Sequence, residues 1–473
     1  MHRVILLLAL VCCAIACAAQ SQPSQGVKEF VRVDSPVIAL EHVRVIDGTG
    51  APAKPNQTIV ISGGKIAAMG DGSAVKVPAG ANHLDFTGYS AIPGLVGMHD
   101  HLFYPAGGGL YHDMPFTFPR LYLAAGVTTI RTTGSIEPYT DLEIKKMIDA
   151  GKAVGPKINA TGPYLEGQGL PLLQIHALSG PDDAVRTVDY WAAEGVGSFK
   201  AYNFITRVEL KAAIDAAHRH HIKVTGHLCS IGFREAAELG IDNLEHGITV
   251  DTEFLPDKQP DVCPNPGQAV AAAAKLETES DAIQTTIRAL VAHHVALTST
   301  LPVFEQFAAS RPDEPARVLE VLSEDARKAY QATRARIAQT PGSPWPVMFQ
   351  KEMQFERAFA KAGGLLLAGL DPTGIGGTVA GFGDWREVEL LVESGFTPLE
   401  AIKIASLNGA QFLEEEDHIG SLAPGKQADI VMVKGDPSTK IQDIENVEVV
   451  FKDGVGYDSK KLFDSVKGQV GTR

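Results

Sequence analysis

The chain has 473 residues, 45% of them hydrophobic, enough for one large buried core and a smaller one, and this composition excludes a disordered or fibrous chain. Its formal net charge of −14 excludes nucleic acid as a partner, because such a surface repels phosphates.

Residues 1–22 open with a short basic start, an apolar run from Val4 to Ala16, and then small residues. That run falls short of the roughly 20 residues needed to span a bilayer, so it predicts an export signal and no membrane-spanning segment. Ala14-Ile15-Ala16 reads as a cleavage site or, with Cys17, as an imperfect lipobox. The expected location is therefore periplasmic, secreted or lipid-anchored through Cys17. The body keeps Cys229 and Cys263, too few for a disulfide framework, and a single bridge between them stays open.

From Val37 onward, alternating apolar residues punctuated by Gly and Asp predict short strands, as in "VIALEHVRVIDGTG" and "QTIVISGGKIAAMG". The same texture returns in "ADIVMVKGD" and "NVEVVFKDGVGY". Residues 35–92 and 415–465 are thus expected to form one discontinuous β-sandwich built from both termini. Between them, over 93–414, apolar strand-like runs alternate with segments of helical spacing such as "RVELKAAIDAAHRHH". The runs are "GLVGMHDH", "GVTTIRTTG", "PKINATGP", "VGSFKAYN", "IKVTGHLC", "DNLEHGI", "HVALTST" and "GLLLAGLDP". That order predicts an α/β fold, a TIM-like (β/α)8 barrel whose chemistry gathers at the strand C-termini. An insertion at about 251–350 is too long for a structureless loop and is expected to form helices over the mouth that shape the pocket. Gly374–Gly383 is expected to be a mobile wall of that mouth.

The first run ends in His99-Asp100-His101. Residues two apart in a strand share a face about 6–7 Å apart, so both imidazoles converge while Asp100 points away. Two such rings suit a divalent transition metal. The later runs end in Lys200, His227, His246 and Asp371. Singly, each has a plainer reading: a buried histidine can be structural, Lys200 can reach solvent, and Asp371 before Pro372 can cap a helix. Together they place five metal-competent side chains and one lysine at separate strand ends.

With these motifs, "IPGLVGMHDH", "GHL", "EHG", "GLDP", "LNGAQFL" and "GSLAPGKQADIVMV", the sequence resembles the amidohydrolase superfamily, in its imidazolonepropionase-like and prolidase-like, metal-dependent peptidase group. The resemblance spans almost the whole mature chain. It implies the same barrel with a sandwich from both termini, two divalent ions, Zn2+ by preference, and hydrolysis of amide or related C–N bonds. It implies that His99, His101 and Asp371 bind one ion, that His227 and His246 bind the other, and that Lys200 bridges them as a CO2-derived carbamate. Homo-oligomers are common in that superfamily.

A water held between two cations loses its proton readily. The expected reaction is attack of that hydroxide on a peptide-like or N-acyl amino acid substrate, with Asp371 passing the proton to the leaving nitrogen. Tyr202, which should share a face with Lys200, is a candidate for substrate binding, as are Arg131 and His176; for each, packing is the competing reading. Cyclic amides, imidazolones, esters and lactones remain alternative substrates for the same hydroxide. A non-catalytic exported binding protein remains the alternative of another class.

Overall fold

The computed structural model describes residues 24–107 and 109–472. The parallel strands of its central region are β1 (Leu95–Gly97), β2 (Val127–Arg131), β3 (Lys157–Asn159), β4 (Ser198–Ala201), β5 (Lys223–Gly226), β6 (Asn243–Glu245), β7 (Ala296–Ser299) and β8 (Leu366–Ala368). These fall within the runs named above. They pair in parallel as β1-β2-β3 and as β4 through β8 in order. Backbone bonds also cross both seams. Gly162 N donates to Ser198 O at 2.9 Å and Leu165 N to Lys200 O at 2.9 Å; on the other side Met98 N donates to Ala368 O at 2.8 Å and Asp371 N to His99 O at 3.0 Å. The outcome is a TIM-barrel-like α/β fold.

Local chemistry sets the helices between these strands. Arg207–Arg219 starts at Thr206, whose hydroxyl and the Glu209 carboxylate form a capping box, and it buries Leu210, Ala213, Ile214 and Ala217 at helical spacing. Pro181–Glu194 has proline in its first turn and ends at Gly195, whose φ of 98° suits glycine.

Strands from both ends of the chain form one connected nine-stranded sheet. Ile430–Lys434, near the C-terminus, pairs antiparallel with Tyr89–Pro93, near the N-terminus, and ties the two together. Period-two alternation decides which core each residue joins. Ile430 and Met432 pack with Ile38, Leu40, Ile59 and Ile61 in the sheet's own core, whereas Val431 and Val433 join the barrel core.

The 251–350 segment carries helices, among them Pro266–Ala273, Leu301–Glu305, Glu324–Ala338 and the start of Trp345–Lys361. Cys229 and Cys263 form a disulfide, Cα atoms 4.8 Å apart, pinning the proline-rich stretch beside the end of β5. Gly374–Gly383 differs from its expected role: most of it is buried, and the Tyr104 hydroxyl donates to Gly376 O, so it is a packed segment and not an open wall. The expected export signal and Cys17 lie outside the described residues. No helix among the described residues is long and apolar enough to cross a membrane.

Candidate active site

Four imidazoles, one lysine and one carboxylate meet at the C-terminal ends of the strands. Strand β1 stops at Gly97, so His99 and His101 lie just beyond it on a bend, with ring centroids 5.0 Å apart. Gly369, next to β8, passes so near that a Cβ there would lie 2.6 Å from the His99 backbone nitrogen. Only glycine lets β8 bring Asp371 under both rings. The Asp371 carboxylate lies 3.7 Å from His99 Nε2, 3.6 Å from His101 Nε2 and 3.8 Å from His246 Nε2. Asp371 and His246 have φ of 50° and 69°, left-handed values that non-glycine residues adopt mainly where the surroundings impose them. Asp100 points away from the rings, beside Asp384.

Outer partners orient the rings. His99 Nδ1 donates to Glu245 Oε2 at 2.7 Å and His101 Nδ1 to Gly134 O at 3.1 Å, while His246 Nδ1 and the Thr300 hydroxyl are 2.7 Å apart. Protons on the Nδ1 atoms of His99 and His101 leave their Nε2 lone pairs facing inward. His246 Nε2 is buried with no hydrogen-bond partner. The His227 ring centroid is 4.5 Å from that of His246.

Burial, then the charge of Lys200, holds His99 and His101 well below the usual imidazole range and takes His227 down to about 3. Burial, then His227 and His99, does the same to His246. Burial lowers Lys200 to about 8 against the pull of Glu245 and Asp371, and its Nζ lies 3.1 Å from His99 Nε2. Burial raises Asp371 to about 6, opposed by Lys200 and Thr373. Neutral imidazoles, a lysine that deprotonates near neutrality and an orphaned inward nitrogen form a donor set suited to divalent metal. His99, His246 and Asp371 offer ligand atoms within 4.8 Å of one another, near enough to share an ion.

Of the three substrate-binding candidates, the structure brings Tyr202 alone to the cluster, 5.0 Å ring to ring from His227. Arg131 is 1% exposed and its fork is spent: it donates to Met98 O at 2.6 Å, Asn243 Oδ1 at 2.7 Å and Glu245 Oε1 at 2.8 Å. Its place is behind His99, clamping the carboxylate that orients that ring. His176 faces solvent and pairs with Asp183 at 3.1 Å. The pocket over Lys200 takes its walls from Phe103, Tyr111, Ile136, Tyr164, Leu172, Gln174 and Ile175, and none from 251–350. The insertion instead backs His246, through the Phe304 ring at 5.5 Å. Sequence reasoning missed Glu245 and Tyr164; the carboxylate one residue before His246 was the available signal for the first.

Residues 357–456 match the Amidohydrolase family. A crystal structure of a putative prolidase from Bifidobacterium longum superposes with a TM-score of 0.64 at 25% identity, covering 91% of this chain and 98% of that one. A Xaa-Pro dipeptidase with bound methionine in its active site gives 0.67 at 21% identity, covering 89% and 100%. An adenine deaminase of Clostridium botulinum (strain Loch Maree / Type A3) is 38% identical over 69 residues, 14% of this chain, which matches only 12% of the deaminase's length.

Proposed function

We propose that the chain is an exported, metal-dependent hydrolase of the amidohydrolase superfamily, in its prolidase-like group, that cleaves the C–N bond of peptide-like amides. The observation that carries the reading is the convergence of three imidazole Nε2 atoms on Asp371 while their Nδ1 atoms are engaged outward. Backbone bonds across both seams support a closed eight-stranded barrel beneath them.

His99, His101 and Asp371 would hold one ion, His227 and His246 a second, and Lys200 would bridge them. An ammonium cannot do so, but the neutral amine favoured by burial can add CO2, losing one proton, to become an anionic carbamate. Divalent ions held there would acidify a bound water and polarise the scissile carbonyl. Asp371, whose carboxylate lies 3.6–3.8 Å from three imidazole nitrogens, would accept a proton from the attacking water and return it to the leaving nitrogen, without which an amine leaves badly. The Tyr202 hydroxyl stands ready to donate to a substrate oxygen. The 229–263 disulfide supports export, since such bridges persist in oxidising compartments.

The test is elemental analysis of protein purified without chelators, together with a screen for amine release from dipeptides, N-acyl amino acids and neutral amides. Bound metal and chelator-sensitive amine release are expected. Protein that takes up no metal even on reconstitution, and releases no amine, would return the reading to a binding protein.

A further inference from the structure

The pocket over Lys200 has aromatic walls and, apart from that lysine at its foot, no lysine or arginine among the described residues that line it. On one side His101 stacks on Phe103 at 4.3 Å, and Tyr111 meets Phe103 edge-on at 5.2 Å. On the other, Tyr202 lies 5.0 Å from His227 and 4.7 Å from Tyr164. Lys200 Nζ sits at the foot, 5.5 and 5.7 Å from the Tyr164 and Tyr202 ring centres. Gly134, with φ of 98°, makes room for that arrangement: a Cβ there would lie 2.6 Å from the Tyr164 ring.

The walls are fixed. Tyr111 belongs to the hairpin of Phe103–Gly107 and Leu110–Asp113, and the Gln174 side chain grips its backbone: Tyr111 N donates to Gln174 Oε1 at 2.9 Å and Gln174 Nε2 donates to Tyr111 O at 2.8 Å. That grip occupies the Gln174 amide. The neighbouring His112 alternates to the opposite face of its strand. Among the described residues, no arginine and no lysine other than Lys200 lines the pocket. Burial, then neighbouring charges and hydroxyls that include Asp371, keeps the Tyr111, Tyr164 and Tyr202 hydroxyls protonated, and Glu166 adds to the effect at Tyr202. A carboxylate entering between these walls would lose its hydration, meet no cation beyond the cluster and approach acids. A flat neutral ring would meet the Phe103, Tyr111, Tyr164 and Tyr202 side chains that line the pocket.

We infer that this slot seats an uncharged aryl group, so the substrates are amides carrying a neutral aromatic ring and lacking a free carboxylate beside it. The inference rests on the C–N hydrolase reading and narrows it. Two matched probe pairs test it on the metal-loaded enzyme. The hydrolysis-inert N-(4-methylphenyl)methanesulfonamide and 4-(methanesulfonamido)benzoate are compared by calorimetry, with the cyclohexyl sulfonamide as a non-aromatic control. The cleavable 4-methylacetanilide and 4-acetamidobenzoate are compared by arylamine release.

The neutral aryl ligand is expected to bind at least tenfold more tightly than the benzoate and than the cyclohexyl control. Leu172→Arg, a change in a half-exposed loop residue of the wall, should shrink the first ratio at least tenfold. Equal or tighter binding of the benzoate to the unsubstituted enzyme overturns the inference, and a cyclohexyl ligand that binds as well as the aryl one overturns its aromatic part. If the neutral aryl ligand wins but no anilide is cleaved, the ligand class stands and the hydrolytic reading falls.

Discussion

Two buried polar clusters occupy opposite ends of the eight strands, and they differ in what their charges lack. At the N-terminal end, Lys157 of β3 pairs with Asp429 at 3.2 Å and Asp453 at 3.0 Å, both in the C-terminal part of the chain, so the barrel floor is fastened to the terminal sheet. Burial pulls Lys157 down, yet the two carboxylates outweigh it and raise it overall. At the C-terminal end, Lys200 and the histidines are pushed towards their neutral forms, and one inward nitrogen has no partner. The lower end also encloses the larger hollow, about 690 Å3, against about 70 Å3 over Lys200. Size therefore does not locate the chemistry. Complete pairing marks a structural cluster, and convergent groups that need something further mark a reactive one.

The sharpest way to break this comparison is to remove a lysine at each end. Lys200→Ala should abolish most activity, on the order of a thousandfold or more, and lower metal content to one ion per chain or none, while circular dichroism shows the fold intact. Full activity with two ions bound would sink the bridging role. Glu245→Gln comes next. Its carboxylate holds His99 Nδ1 and is itself gripped by Arg131 and Thr225. Weakening that orientation should cost about 10- to 100-fold in metal affinity, measured by competition with a chromophoric chelator, and unchanged affinity would reduce Glu245 to packing.

Lys157→Ala should do the reverse. It strands the buried Asp429 carboxylate, and because the Lys157 side chain is itself 27% exposed, we expect about 2 kcal/mol of lost stability in urea unfolding. Metal content should not change. Metal loss in this variant would mean that the two ends are coupled, and the contrast between them would fail.

What the sequence discloses follows the same division. His99, His101, Lys200, His227, His246 and Asp371 are legible because reactive residue types fall at strand ends, where period and order are local properties of the chain. Arg131 is not legible in the same way. It does turn towards the other strands, but its acceptors, Met98 O, Asn243 and Glu245, sit on other strands, and nothing near Arg131 reveals that its fork is already occupied. The pocket walls were hidden for a related reason. Tyr111 and Gln174 meet across 63 residues, and only assembly of the barrel mouth decides that this loop pair, rather than the longer insertion, closes over Lys200.

The smallest expected effect concerns an acid behind the upper cluster. Glu352, in the helix Trp345–Lys361, accepts from Thr249 N at 2.8 Å and from the Thr249 hydroxyl, but unlike Asp429 it has no cation beside it among the described residues. Burial raises it to about 8 despite those hydrogen bonds. A carboxyl raised in the folded state holds its proton more tightly there than in the unfolded chain, where it titrates near 4.3. Its contribution is therefore fully present below about pH 4 and is lost as pH rises through about 8. Glu352→Gln removes this titration and keeps an acceptor for Thr249. Relative to the parent, the variant should gain stability steadily as pH rises from 5 to 9, followed by urea unfolding at each pH. A difference that stays flat across that range would mean that Glu352 is charged in the folded protein and that a cation answers it after all.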